Sequence, residues 1–166
     1  MSDIILDTQI LADFLAQFFD TAQRGHAHFT KRDTITKELA RRINKIVRWH
    51  DEGLVVLGKV VASAFAFVEI ARKWSDTSSE RFTIEQLASF IEQPPEWFII
   101  EPVDENLILA LSDVPADVLM EYGKVRSLEW ADAVHIATAF GRGNNSLLAV
   151  TDREMRQIDI MQGRLI

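Results

Sequence analysis

Three runs of apolar residues, Ile4-Ile-Leu6, Trp97-Phe-Ile-Ile100 and Leu147-Leu-Ala-Val150, constrain what this chain can fold into more than any other feature. None of them carries a polar residue that would face water. Short strands of that kind are buried on both faces, as they are in a parallel sheet lying between helical layers. The sequence between them supplies the helices. Ile10, Leu11, Phe14, Leu15, Phe18 and Phe19 recur at helical spacing directly after the first run. Further helices are expected over about 34–49, about 61–74, 84–91, 105–111 and 128–140. Pro94-Pro95 stops the fourth of these six, and Gly141-Arg-Gly-Asn-Asn-Ser146 provides cap and turn residues after the last. A small final strand is expected over 163–166. Apolar strands alternating with helices imply an α/β fold with a mostly parallel central sheet covered on both faces. At 166 residues the chain reads as a single domain over 1–166, with no internal repeat, low-complexity tract or linker.

The absence of cysteine excludes disulfides and thiolate metal sites. The first residues, Met-Ser-Asp-Ile-Ile-Leu-Asp, carry acids where a secretory leader needs basic residues. The longest apolar-and-small run, Val60 to Val68, is far short of the ~20 residues that span a bilayer. A soluble, cytoplasmic protein with no membrane partner is therefore expected. A net charge of −7 argues against a uniformly basic nucleic-acid binder. The average conceals a contrast, however. Arg24, Lys31, Arg32, Lys37, Arg41, Arg42, Lys45 and Arg48 face only Asp33 and Glu38 in the same stretch. This extended basic segment, within residues 20–60, suggests a local anion-binding surface on an acidic body.

One acid stands apart. In a helix over 128–140, Leu128, Asp132, His135, Ile136 and Ala139 share a face that is otherwise apolar and alanine-rich. A carboxylate on a burying face must be paired, protonated or bound to a metal, because desolvating it alone costs several kcal/mol. No basic partner is evident on that face. Two of the apolar runs end in mirrored dipeptides, Asp7-Thr8 and Thr151-Asp152. Ligands of open α/β sheets bind beyond the carboxyl ends of the strands, so both acids belong at one rim. Asp132 and Glu69, on helices, can point to the same rim. Several carboxylates close together need a cation, and oxygen donors without cysteine favour Mg2+ or Mn2+. The chemistry such a site suits is metal-assisted attack of water on a phosphodiester. Blander roles stay open. The Asp/Thr pairs can serve as helix N-caps, and Glu69 can pair with Arg72 or Lys73 one turn on.

Taken together, Ile4-Ile-Leu-Asp-Thr8, Phe67-Val-Glu-Ile70, Ala131-Asp-Ala-Val-His-Ile-Ala-Thr-Ala139 and Leu148-Ala-Val-Thr-Asp152 resemble the four acidic motifs of PIN-domain ribonucleases. The best-known small members are the VapC-type toxins of bacterial toxin–antitoxin pairs. The resemblance runs from residue 4 to about 155. It implies a three-layer α/β/α fold and a Mg2+- or Mn2+-dependent endoribonuclease. Asp7, Glu69, Asp132 and Asp152 would be the metal-binding and catalytic acids, with Thr8 and Thr151 as polar neighbours. It further implies an RNA substrate, an antitoxin partner and a homodimer. Water rather than the ribose 2′-hydroxyl attacks in such chemistry, so the expected products carry a 5′-phosphate and a 3′-hydroxyl. Gln9 departs from the pattern, standing where many members have Asn or Ser.

Glu129, one turn before Asp132, is read as a solvated helix-start acid or an outer support of the site. His135 is read as a hydrogen-bonded core histidine rather than a ligand, and His26-Ala-His28 lacks the companions of a zinc site. Lys37, Arg41, Lys45 and Arg48 oppose the apolar stripe of their helix and form the candidate RNA-binding face. Phe65, Phe67, Trp74 and Trp97 are read as core or interface residues rather than base-stacking platforms. A haloacid-dehalogenase-type phosphatase needs a second Asp where Gln9 stands, and the acids and Lys of a phospho-receiver are not evident. The alternative function is a catalytically degenerate PIN domain that only binds RNA or a protein.

Overall fold

A computed structural model describes residues 3–24, 59–73, 81–119, 123–143 and 146–150. The expected basic helix over 34–49, His26 and His28, and the final strand over 163–166 lie outside them. Four short strands, β1 (Ile4–Leu6), β2 (Val60–Ser63), β3 (Phe98–Glu101) and β6 (Leu147–Ala149), form a wholly parallel sheet in the order β3-β2-β1-β6. Five helices are described: α1 (Thr8–Arg24), α2 (Ala64–Arg72), α3 (Ile84–Glu92), α4 (Glu105–Ser112) and α5 (Trp130–Gly141). An antiparallel hairpin, β4 (Asp117–Leu119) with β5 (Val125–Ser127), lies between α4 and α5.

Alternation along each strand divides the core in two. Ile4, Leu6, Val60 and Ala62 pack with α1, α2 and α3, whereas Ile5, Val61 and Leu148 pack with α4, α5 and the hairpin. The strands are buried on both sides, hence their unbroken apolar sequence, and the molecule has three layers. The first core is aromatic. Phe14 is buried to 2% exposure, stacks on Phe98 at 5.4 Å and meets Phe90 and Trp97 edge-on at 6.3 and 6.0 Å. The second core is built on small residues. Ala137 and Ala139 are fully buried, which lets α5 lie close against the strands.

Local signals set several helix starts. Thr83 and Gln86 form a reciprocal capping box at α3, and the Asp104 carboxylate accepts the Asn106 and Leu107 amides at α4.

Two expectations need correction. The helix read over about 61–74 is a strand followed by a helix. Val60-Val-Ala62 sits in register with Ile4-Ile-Leu6, and the Ser63 hydroxyl oxygen accepts the Phe65 amide to begin α2. The β-branched pair at 60 and 61 favours the pleated sheet, and the N-cap marks the boundary. The β4–β5 hairpin was not anticipated at all. Its strands are only three residues long, too short for a period of two to stand out in the sequence.

The order of the strands creates a switch point. From β1 the chain builds outward through β2 to β3, then returns to lay β6 on the other side of β1. The connections to β2 and β3 bring α1, α2 and α3 onto one face, and the connection to β6 brings α4 and α5 onto the other. Such a reversal opens a crevice at the carboxyl ends of the two strands that flank it, here β1 and β6. The ends of α5 fix its direction. Arg142 pairs with Asp3 at 2.9 Å beside the start of β1, and the Ser146 hydroxyl donates to the Ala139 carbonyl just before β6. The helix therefore runs against the strands, and its first turn rises over the carboxyl rim.

Candidate active site at the carboxyl rim

Asp7 follows β1 directly and belongs to both the sheet and the helix. Its amide donates to the Ala149 carbonyl of β6 at 3.1 Å, across the switch point. Its Oδ1 accepts the Ile10 amide at 2.7 Å, and its carbonyl accepts the Leu11 amide at 2.8 Å. Asp7 is thus the N-cap of α1, as the blander sequence reading allows. That role engages one carboxylate oxygen and holds the group in a fixed, half-buried orientation.

Thr8 joins three elements. Its hydroxyl donates a short hydrogen bond to Oε2 of Glu69 on α2, and its Oγ1 lies 3.3 Å from Nε2 of His135 on α5. The hydroxyl has a single proton and gives it to the carboxylate. The imidazole can then complete the chain only as an Nε2–H donor. The same tautomer suits its other side, since Nδ1 is buried without a hydrogen-bond partner and is better left as a bare acceptor than as an orphaned N–H. His135 is 3% exposed, and burial pushes its pKa down to about 4, so the ring is neutral at neutral pH. The reading of His135 as a core histidine holds, with its hydrogen bonding confined to one nitrogen.

Asp132 corrects the expectation that drew attention to it. It lies in the first turn of α5 with its side chain 24% exposed, and Arg126 on β5 approaches its Oδ2 to 3.8 Å. The helix face was read correctly as apolar, since Val134 through Ala139 are buried. The first turn, however, rises past the edge of the sheet, so Asp132 is not fully desolvated. The cation beside it comes from the hairpin that the apolar pattern does not signal. Glu129 stands at the N-cap position of α5, exposed, and its side chain makes no capping bond. This agrees with a solvated helix-start acid.

A groove of about 250 Å³ opens beside Thr8 and Glu69, between α1 and α2, and Gln9, Lys73 and Arg81 also line it. Gln9 is exposed there. Arg81 reaches across to the buried Asp13 of α1 at 2.5 Å, and partial burial lowers the pKa of its guanidinium. Neither Asp13 nor Arg81 stood out in the sequence, because an acid within an amphipathic helix normally faces solvent. Ser63 and Arg126 were likewise missed. The position of Ser63 at the end of an apolar run was the one available signal.

Of the four acids expected to act together, Asp7, Glu69 and Asp132 stand at or near this rim. Asp152 and Thr151, like Lys37, Arg41, Lys45 and Arg48, lie outside the described residues. The donors suit a hard divalent cation in kind, being carboxylates in a chain without thiolates. Among the described residues, no three His, Asp or Glu side chains form a group able to hold a metal ion. Also among the described residues, no helix is long and apolar enough to cross a membrane. Compared with models of known protein families and with curated proteins, the chain matches none.

Proposed function

We propose that this chain is a PIN-like, divalent-metal-dependent endoribonuclease with its site at the carboxyl ends of β1 and β6. The observation that most supports this is the meeting of α1, α2 and α5 at the Thr8 hydroxyl, next to an aspartate at the switch point of the sheet. Asp7, Glu69 and Asp132, joined by Asp152, would hold Mg2+ or Mn2+. When bound, that cation supplies Lewis-acid activation of water and neutralises charge on the phosphodiester.

The remaining contributions come from the chain itself. The Ile10 amide orients the Asp7 carboxylate, and the Thr8 hydroxyl restrains Glu69. Neutral His135 supports Thr8 from the opposite layer of the fold. Arg126 sets a positive charge where a phosphate would approach several carboxylates, easing its entry.

A comparison of wild type with Asp132→Asn on a mixed RNA pool, each in Mg2+ and in EDTA, tests the proposal. Cleavage by wild type alone, abolished by EDTA and leaving 5′-phosphate ends, is the expected result. Equal cleavage by both proteins would identify a contaminating nuclease and remove Asp132 from the site. A second reading, a non-catalytic RNA- or protein-binding module, is favoured by the cation already beside Asp132. Calorimetry with Mn2+ separates the two, since a binding module takes up no metal. The resemblance extends the proposal to the toxin of a toxin–antitoxin pair. Growth arrest on expression, relieved by the product of a neighbouring reading frame, is the corresponding test.

A further inference from the structure

Trp130 is the first residue of α5, and 67% of its surface is exposed. A ring of that size normally gains stability by burial, and this one gives most of it up. What it does contact is Phe65, in the first turn of α2, with ring centroids 4.2 Å apart and planes inclined at 53°. Phe65 in turn packs against the second core, which anchors the pair from below. Val68, one turn further along α2, is 60% exposed and extends the apolar surface.

The position of this pair gives it meaning. Phe65 stands two residues past the end of β2, and Trp130 two residues before Asp132, so both rings lie at the rim that carries Asp7 and Thr8. Arg126, 3.8 Å from Asp132, brings a cation to the same side of the molecule. An anchored, solvent-facing indole beside carboxylates and a guanidinium combines what holds one nucleotide of an unpaired strand. The ring takes the base, and the cation takes the phosphate. A protein partner would be better served by a broader apolar face than by one ring with scattered valines, Val68 and Val125, set among charges.

We propose that Trp130, backed by Phe65, is a stacking platform for an unpaired nucleobase adjacent to the phosphodiester held at the rim. The platform rests on the ribonuclease reading for its substrate, and it names the residues that bind the nucleotide next to the reacting bond.

The test measures binding of a short fluorescein-labelled single-stranded oligoribonucleotide by anisotropy, in EDTA so that nothing is cut. Wild type, Trp130→Phe and Trp130→Ala are compared, with far-UV circular dichroism to establish that each is folded. Loss of one stacked base should weaken binding roughly 5- to 100-fold in Trp130→Ala, with Trp130→Phe close to wild type. Oligonucleotides carrying an abasic residue at successive positions supply the second measurement. One position should weaken wild type and leave Trp130→Ala unaffected, because ring and base are lost as a unit.

Equal affinity of wild type and Trp130→Ala would overturn the platform while leaving the ribonuclease reading intact. So would unchanged RNA binding accompanied by a smaller species in light scattering, which would make Trp130 a protein contact. If wild type binds no single-stranded RNA, both proposals fall. Binding with the expected abasic pattern but no metal-dependent cleavage would keep the platform and remove the nuclease.

Discussion

His135 offers a quantitative test of how the two helical layers meet at the rim. An exposed histidine has a pKa near 6.5, and burial lowers that of His135 to about 4. Between those values the unfolded chain takes up a proton that the folded chain refuses. Stability is therefore intact above about pH 6.5 and falls as the pH drops toward 4. At 1.36 kcal/mol per pKa unit, the loss from this one group reaches about 3 kcal/mol. That is a large part of the marginal stability of a domain this size.

The substitution that isolates it is His135→Gln, which keeps an N–H for Thr8 and does not titrate. Urea unfolding followed by circular dichroism, from about pH 7 down to about pH 4.5, gives the stability of each protein. The neighbouring acids are Glu69, reached through Thr8, and Asp132, one turn earlier on α5. Both are unchanged between the two proteins, so the difference between the two curves reports His135. The variant should start lower at neutral pH and lose up to about 3 kcal/mol less on acidification. Parallel curves would mean that His135 titrates normally in the folded protein, and the buried, one-sided hydrogen bonding described for it would be wrong.

Asp7 separates structure from charge. Asp7→Asn preserves an acceptor for the Ile10 amide and should stay within about 0.5 kcal/mol of wild type in urea unfolding, whereas Asp7→Ala loses the cap and about 1 kcal/mol. Both should abolish Mn2+ uptake in calorimetry, and retained uptake by Asp7→Asn would reduce the residue to a cap. Phe14→Ala empties the centre of the aromatic core and should cost about 3–5 kcal/mol in the same unfolding assay. A loss below about 2 kcal/mol would show that the surrounding rings collapse into the space.

The parts of this fold legible in the sequence are those where one residue type has one physical use. Ile4-Ile-Leu6 and Leu147-Leu-Ala149 could be buried on both sides only in a sheet covered by helices, and they pair with each other in register. The helix read over 84–91 was legible from its amphipathic pattern, and it begins at Ile84, where Thr83 and Gln86 form a capping box that the sequence reading did not use. Val60-Val-Ala62 was misread because a continuous apolar run entering a helix carries no change of period, and length alone does not separate strand from helix. The hairpin was invisible because its strands are too short to show a period of two. That omission also concealed Arg126, and so made Asp132 look more isolated than it is. Asp7, Thr8 and Glu69 were singled out by type and order, whereas the hydrogen-bonded link through Thr8 from Glu69 to His135 depends on three elements distant in sequence. Trp130, at a helix start, gave no sign of its exposure.

The pairing of β1 has a consequence for how the protein is made. Ile4 is synthesised well before either of its partners, Val60 and Leu147. Contacts of such sequence separation are slow to form, because a long loop must close before any pairing offsets its entropy. During synthesis β1 can join β2 and α1 early, but the edge that receives β6 stays open until residue 149 has left the ribosome. The rim at Asp7 is completed by the same event, since the Asp7 amide bonds to Ala149. A chain interrupted before Ala149 would therefore lack the bond that joins Asp7 to β6, and the rim would stay unfinished until that strand is in place.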